Sequence, residues 1–232
     1  MRHERIGDAK AVRIAAFGEL GDAAAALGLD VGVPVLVVVG GADSMSRAEE
    51  ARVNALIEAL VPHLDRLGGA LVDGGTATGV MRAAGDARMT AKGHFPLIGV
   101  VVDALARRPG DGARDGTNLD RGHTHFAFVP GADWGDESPW LARFAATLAG
   151  PASSATLLAN GGDIAWKDAE HSIELDRRVI AAAGTGRAAD ELAAGRTERA
   201  RALQATGLVD VVAIKRGAEA KVAAAVARAL AG

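Results

Sequence analysis

Four times along this chain a short apolar run stops at glycine and passes straight into a helix-forming stretch. Pro34–Val39 runs into Gly40-Gly41, and Ala70–Val72 into Asp73-Gly74-Gly75. Ala155–Ala159 runs into Asn160-Gly161-Gly162, and Val179–Ala183 into Gly184-Thr185-Gly186. Strand, glycine turn and helix in that order is the unit from which parallel sheets are built. The run at 34–39 is apolar on both of its faces, as a central strand is when helices cover both sides of the sheet. The fold class that follows is α/β: a Rossmann-like, doubly wound, mainly parallel sheet with helices on both faces.

The rest of the chain fills in that plan. Residues 11–17 read as a first strand and 19–27 as a short alanine-rich helix. A long helix is expected from Ser46 to Leu67, with Ser46 and Glu49 spaced as a capping box. Further strands fall at 96–102, 123–129 and 209–214, and helices at 138–149, from 163 to about 176, and at 218–230. Residues 188–206 read as helical with a break at Gly195. Residues 103–122 are rich in Gly, Asp and Arg, and are expected to form an exposed loop that orders only with ligand. No linker separates two domains, so residues 1–232 are expected to form one.

Composition removes several function classes. The formal charge of −3 makes no case for nucleic acid or a membrane surface. With no cysteine there is no disulfide, thiolate metal site or cysteine nucleophile. The apolar run at 33–39 is too short to span a bilayer, and MRHERIGDAK lacks the apolar core of a signal peptide, so a cytoplasmic location is expected. Hydrophobic residues make up 49% but aromatics only 3%, which predicts an aliphatic, closely packed core.

In an open parallel sheet the four glycine loops all lie at the carboxyl edge, where ligands bind at the point at which strand order reverses. One such turn alone is equally a tight β–α connection; four converging make a crevice. Gly74 and Gly75 permit close backbone approach and φ > 0, Thr76 and Thr78 add hydroxyl donors, and Gly79 opens a helix whose dipole favours an anion. Gly161, Gly162, Gly184, Thr185 and Gly186 supply matching turns, as do Gly40 and Gly41. Arg187, just inside a helix start, is either a fork for clamping a phosphate pair or a solvated surface arginine. The first turn lacks the dinucleotide fingerprint and no Walker lysine follows, so neither a standard nicotinamide dehydrogenase nor a P-loop NTPase is supported.

The stretches DGGTATGVMRAAGDA and LDRGHTHFAFVPG, with ANGGDIAWKDAEHSIELDRRVI paired to AAAGTGRAADELA, resemble the SLOG/LSDAT superfamily over roughly residues 33–194. Those domains form the cytosolic N-terminal sensor of melastatin-type TRP channels and occur in prokaryotes as free-standing proteins. The resemblance implies a nucleotide-derived ligand, related to ADP-ribose or NAD. It places the phosphate loop on Gly74, Gly75, Thr76 and Gly79, a second loop on Gly161 and Gly162, and a third on Gly184, Gly186 and Arg187. More distantly the chain is similar to cytokinin-activating phosphoribohydrolases, whose PGGxGTxxE loop carries a glutamate that acts in N-glycosidic cleavage. Here the matching stretch is NGGDIAWKD: the proline and Gly-Thr are absent, and Asp168 stands where the glutamate would. The departures weigh toward a ligand sensor, with a nucleotide-cleaving enzyme using Asp168 as the alternative. A sensor without an effector domain acts through a homo-oligomer or a separate effector protein.

Other residues stay open. Asp163 reads as a helix cap. His123 and His125 alternate on a strand, which points to a structural or ligand-contacting role more than to a metal, for which no third ligand is evident. Asp133, Asp136 and Glu137 read as an exposed acidic turn more readily than as a cation site. Trp140 falls at core spacing, and Trp134 stands in a loop where it stacks on a base or forms an interface.

Overall fold

A computed structural model of the protein describes residues 3–42, 45–111, 116–214, 217 and 219–232. The expected glycine turn after Val39 extends to Asp43 and Ser44, which lie outside the described residues, as do 112–115 of the segment 103–122. The chain opens with a hairpin, β1 (His3–Ile6) and β2 (Ala9–Arg13), where only one strand was expected. Gly7-Asp8 is its two-residue turn, with Gly7 at φ +59°. The charged first segment, which lacks an apolar core, thus supplies an edge strand, where charge is well tolerated.

The glycine-loop units follow. They are α1 (Leu20–Leu27), β3 (Val35–Gly40), α2 (Arg47–Leu67), β4 (Ala70–Asp73), α3 (Gly79–Thr90) and β5 (Leu97–Val102). Two short strands, β6 (Ala106–Arg107) and β7 (Thr117–Asn118), precede β8 (His125–Val129) and α4 (Ser138–Ala149). The chain ends with β9 (Ser154–Ala159), α5 (Asp163–Glu174), β10 (Arg178–Ala183), α6 (Arg187–Ala194), α7 (Glu198–Ala205), β11 (Val209–Ala213) and α8 (Glu219–Ala231). Gly195 in the left-handed region separates α6 from α7 at the expected break, and Ser46 with Glu49 forms the expected capping box. The helix at 163 starts on Gly162 as its cap, so Asp163 is its first-turn acid and not the cap. No helix among the described residues is long and apolar enough to cross a membrane.

Among the described residues the main sheet has nine strands in the order β1-β2-β8-β5-β4-β3-β9-β10-β11, and every pair but β1–β2 is parallel. Strand order reverses between β3 and β9. From β3 the chain steps outward through β4 and β5, and from β9 it steps the other way through β10 and β11. Alternation within the strands sets the layers: Val35, Val37 and Val39 face α1, α4, α5, α6 and α7, while Leu36 and Val38 face α2, α3 and α8.

Residues 103–122 differ most from expectation. β6 pairs with β7, Arg13 and Arg108 both bond Asp103, and Arg108 lies 4.1 Å over the Phe128 ring. Residues 117–120 are stapled onto the β4–α3 turn by Ala77 N to Asn118 O (2.8 Å), Asp120 N to Gly75 O (2.9 Å) and a Thr76–Leu119 bridge. These contacts, distant in sequence, hold residues 117–120 in place within a segment whose composition alone reads as loop.

Gly75 shows what that turn demands. Its φ is +68°, and a Cβ there would stand 2.8 Å from Gly99 Cα on β5. The close approach it permits is to the sheet. At Gly74 a Cβ would meet only Met81, at an ordinary 3.7 Å. Gly75→Ala is therefore expected to lose roughly 2–4 kcal/mol of stability from strain and overpacking. Gly74→Ala should lose under about 1 kcal/mol. Urea midpoints of the two variants check this, and equal midpoints would contradict it.

Candidate functional site

At the reversal of strand order a cavity of about 210 Å³ opens at the carboxyl edge of β3 and β4, walled by the N-terminal turns of α4 and α5. Gly40, Gly74, Thr76 and Thr78 line it from the glycine loops, with Thr117 from the stapled segment. Val38, Val39, Met81, Leu141 and Ile164 make most of its wall apolar, and Trp134, 37% exposed, stands at the rim. Thr76 Oγ1 and Thr78 Oγ1 are 3.0 Å apart, and α3 begins at Thr78 with no side-chain cap on its first N–H groups.

A buried ionic knot holds this turn in place. Asp73 Oδ1 accepts from Gly75 N at 2.7 Å and lies 2.7 Å from His123 Nε2. His123 Nδ1 lies 2.9 Å from Asp120 Oδ2, which also accepts from Gly122 N at 2.9 Å. Asp73 and the His123 side chain are fully buried. Burial alone would strip the imidazole of its proton, but Asp73 and Asp120 outweigh it and raise its pKa to about 9. His123 is thus a doubly paired cation. His125 bonds Thr124 Oγ1 at 2.7 Å, and burial with Lys10 and Arg88 nearby lowers its pKa to about 4, so the two histidines serve different partners. No three His, Asp or Glu among the described residues are grouped to hold a metal ion.

The opposite wall carries two carboxyls. Asp136 is exposed and accepts from Ala132 N and Asp133 N, as an acidic turn does. Glu137 is not part of an exposed turn: it is buried at the start of α4 and lines the cavity. Its Oε2 accepts from Gly135 N at 2.8 Å, and burial raises its pKa. Asp168, one turn into α5, faces the same space, and its Oδ1 is buried without a partner. Burial raises its pKa to about 7; the Ser138 hydroxyl and Lys167 oppose that shift, and Glu137 adds like charge. Nothing in the local sequence marks Glu137, because its burial depends on α4 and α5 packing together.

The remaining predicted residues form a second cluster beside β9. Gly40 ends β3 against the Ala159 carbonyl, and Gly79, at φ +47°, lies against the Gly41 carbonyl, which accepts from Val80 N at 3.0 Å. Thr185 is fully buried: its hydroxyl donates to Ala182 O and accepts from Asn160 N at 2.8 Å, which makes it a pin between loops. Gly161 packs on Ala165, Gly184 lies near Ile214 O, and Gly186 lies by Glu49. The Arg187 guanidinium lies over Gly162 and helps hold down the pKa of Glu49, whose largest causes are its bonds to Ser46. α5 and α6 start at Gly162 and Gly186, again without side-chain caps. The structure brings Gly40, Gly74, Thr76, Thr78 and Asp168 to one cavity and leaves Gly41, Gly75, Gly79, Gly161, Gly162, Gly184, Thr185, Gly186 and Arg187 outside its lining.

A model of the prokaryotic LSDAT domain, described as SLOG in TRPM, matches residues 33–223. The chain belongs to this family. The match reaches past the expected 194 into α8, so the LSDAT unit includes the closing strand β11. No curated protein matches the chain. Among solved structures, the molybdenum cofactor carrier protein of Chlamydomonas reinhardtii is similar at 20% identity and a TM-score of 0.59, over 86% of this chain and 99% of that one. A structural-genomics X-ray structure, TM1055, is similar at 18% identity and a TM-score of 0.54, over 78% and 92%. Identities this low establish a shared Rossmann-like fold.

Two pH dependences follow for this LSDAT domain. The pKa of His123 rises from 6.5 to about 9, so its stabilisation is complete below about pH 6.5 and is lost as pH rises through about 9. His123→Gln should cost roughly 3–5 kcal/mol near neutrality and remove that decline in urea stability; a variant that keeps the decline would place its origin elsewhere. Asp168 shifts the opposite way for an acid, from 3.8 to about 7, so its ionisation costs stability as pH rises across that interval. Asp168→Asn should therefore gain on the wild type between about pH 4 and pH 8, seen as a diverging urea midpoint. Parallel midpoints would mean that Asp168 ionises without cost.

Proposed function

We propose that this LSDAT domain binds a phosphate-bearing, nucleotide-derived ligand, related to ADP-ribose or NAD, across the carboxyl edge of its sheet. The observation that carries the reading is the cavity at the reversal of strand order. It has threonine hydroxyls and an uncapped helix start on one wall and apolar side chains around them. Pockets for drug-sized ligands run to roughly 300–1,000 Å³. A cavity of about 210 Å³ therefore encloses one end of a dinucleotide-like molecule. The rest extends along the open edge toward Gly161, Gly162 and the Arg187 guanidinium over α5. The solved likenesses to molybdenum cofactor carriers support small-molecule binding on this fold and leave the ligand's identity to the site.

A second reading, cleavage of an N-glycosidic bond, is favoured by Asp168. Its pKa of about 7 and its place beside Glu137 suit a group that gives or takes a proton at neutral pH. Incubation with NAD, ADP-ribose and nucleoside monophosphates decides between the two: turnover abolished in Asp168→Asn makes the domain an enzyme, and no released base leaves it a binder.

For binding, thermal shift with ADP-ribose, NAD, AMP and adenosine is the test; a ligand at a hundred times its Kd adds about 2.7 kcal/mol. Thr76→Val together with Thr78→Val should weaken every phosphate-bearing ligand. Arg187→Ala should weaken the diphosphates by roughly 10- to 100-fold, with AMP and adenosine little affected. Equal losses for adenosine and ADP-ribose would take the phosphate away from both loops.

A further inference from the structure

The acid wall of the cavity has chemistry that phosphate binding does not use. Glu137 and Asp168 are each about nine-tenths buried, at 8% exposure, and both line the same cavity. Asp168 Oδ1 has no partner. Among the described residues lining the cavity there is no lysine, arginine or histidine. The charged groups around the pair are Lys167 and Asp136, both exposed, with the Ser138 hydroxyl alongside. Between the acids and the glycine loops the wall is aliphatic, and the indole of Trp134 covers the rim. Two buried carboxyls with only the exposed Lys167 as a described cationic neighbour, in an apolar slot beside an aromatic face, form a cradle for a flat ring that brings its own positive charge.

We propose that Glu137 and Asp168 select a cationic heteroaromatic ring, of the N-substituted pyridinium class, as the end of the ligand held in this cavity. The inference rests on the ligand-binding reading above and narrows it: within NAD-related molecules the oxidised, positively charged ring is preferred to the reduced, neutral one. The carboxyls supply charge neutralisation in a low-dielectric wall, Trp134 supplies a π face, and the phosphates extend toward the threonine loop. A phosphate group is repelled from the acid end, so the pair also fixes which way round the ligand lies. Because the burial of Asp168 favours its neutral acid near pH 7, entry of a cation drives a proton off the pair.

The experiment is calorimetric titration of the full chain with NAD⁺, NADH, ADP-ribose, 1-methylnicotinamide and nicotinamide, each in two buffers of different ionisation enthalpy. NAD⁺ is expected to bind at least about tenfold more tightly than NADH, and 1-methylnicotinamide more tightly than nicotinamide. NAD⁺ binding should release a proton near pH 7, and ADP-ribose should not. Glu137→Gln and Asp168→Asn, tested separately so that one misfolded variant does not decide the matter, should bring NAD⁺ to the affinity of NADH and weaken ADP-ribose by clearly less. Equal binding of NAD⁺ and NADH overturns the proposal while leaving the ligand-binding reading intact if ADP-ribose still binds. Equal losses of NAD⁺ and ADP-ribose in the variants overturn it in favour of a sugar contact. If none of the phosphate-bearing ligands binds, both readings fall.

Discussion

The paired burial of Asp73, His123 and Asp120 is the interaction on which the site depends. An imidazolium with both ring nitrogens against carboxylates, beneath a loop whose Gly75 N–H bonds the same Asp73, leaves the β4–α3 turn one conformation. Burying such groups singly would cost several kcal/mol each, so the knot is stable only when all three are present. Its three members come from two segments fifty residues apart in sequence, and closing it draws residues 117–123 over the glycine turn. The wall that carries Thr117 exists because of this closure.

Glycine does a different job here from the one its position in a phosphate-type loop implies. Gly75 lets the turn sink onto β5, and Gly79 lets the first turn of α3 sit against the Gly41 carbonyl. Both contacts are within the protein. They bring β3, β4 and β9 close enough at their carboxyl ends to leave one small cavity in place of a broad groove. The lining of that cavity then falls to Gly74, Thr76 and Thr78.

The site also opposes stability. An unpartnered Asp168 oxygen in an apolar wall, with Glu137 beside it, raises the folded-state pKa of Asp168 and works against folding at neutral pH. A core selected for stability alone would place aliphatic groups there, as the rest of this alanine- and valine-rich interior does. Other charges are paired, since Arg199 bonds Glu170 with both prongs and Arg13 and Arg108 share Asp103, although the buried Arg177 also keeps one guanidinium nitrogen without a partner. The contrast sets the Glu137–Asp168 wall apart from the structural ion pairs.

The local pattern of the sequence determined the elements. Apolar runs stopping at glycine located β3, β4, β9 and β10, and the parallel sheet with helices on both faces follows from them, because a strand apolar on both faces is stable only between two layers. Helix starts and breaks were equally legible at Ser46 and Gly195, where capping chemistry is local. The N-terminal hairpin was not, since an edge strand has no hydrophobic requirement and Gly7-Asp8 is a short signal. Nor was the docking of residues 117–120 onto the β4–α3 turn, which rests on contacts with Gly75, Thr76 and Ala77. Of the predicted site, the sequence placed glycines and threonines at the carboxyl edge of the sheet, but only the tertiary structure separated those lining the cavity from those holding loops together. It alone turned Glu137 inward to face Asp168. Burial and pairing between distant segments depend on how the layers close, and no single stretch of sequence carries that information.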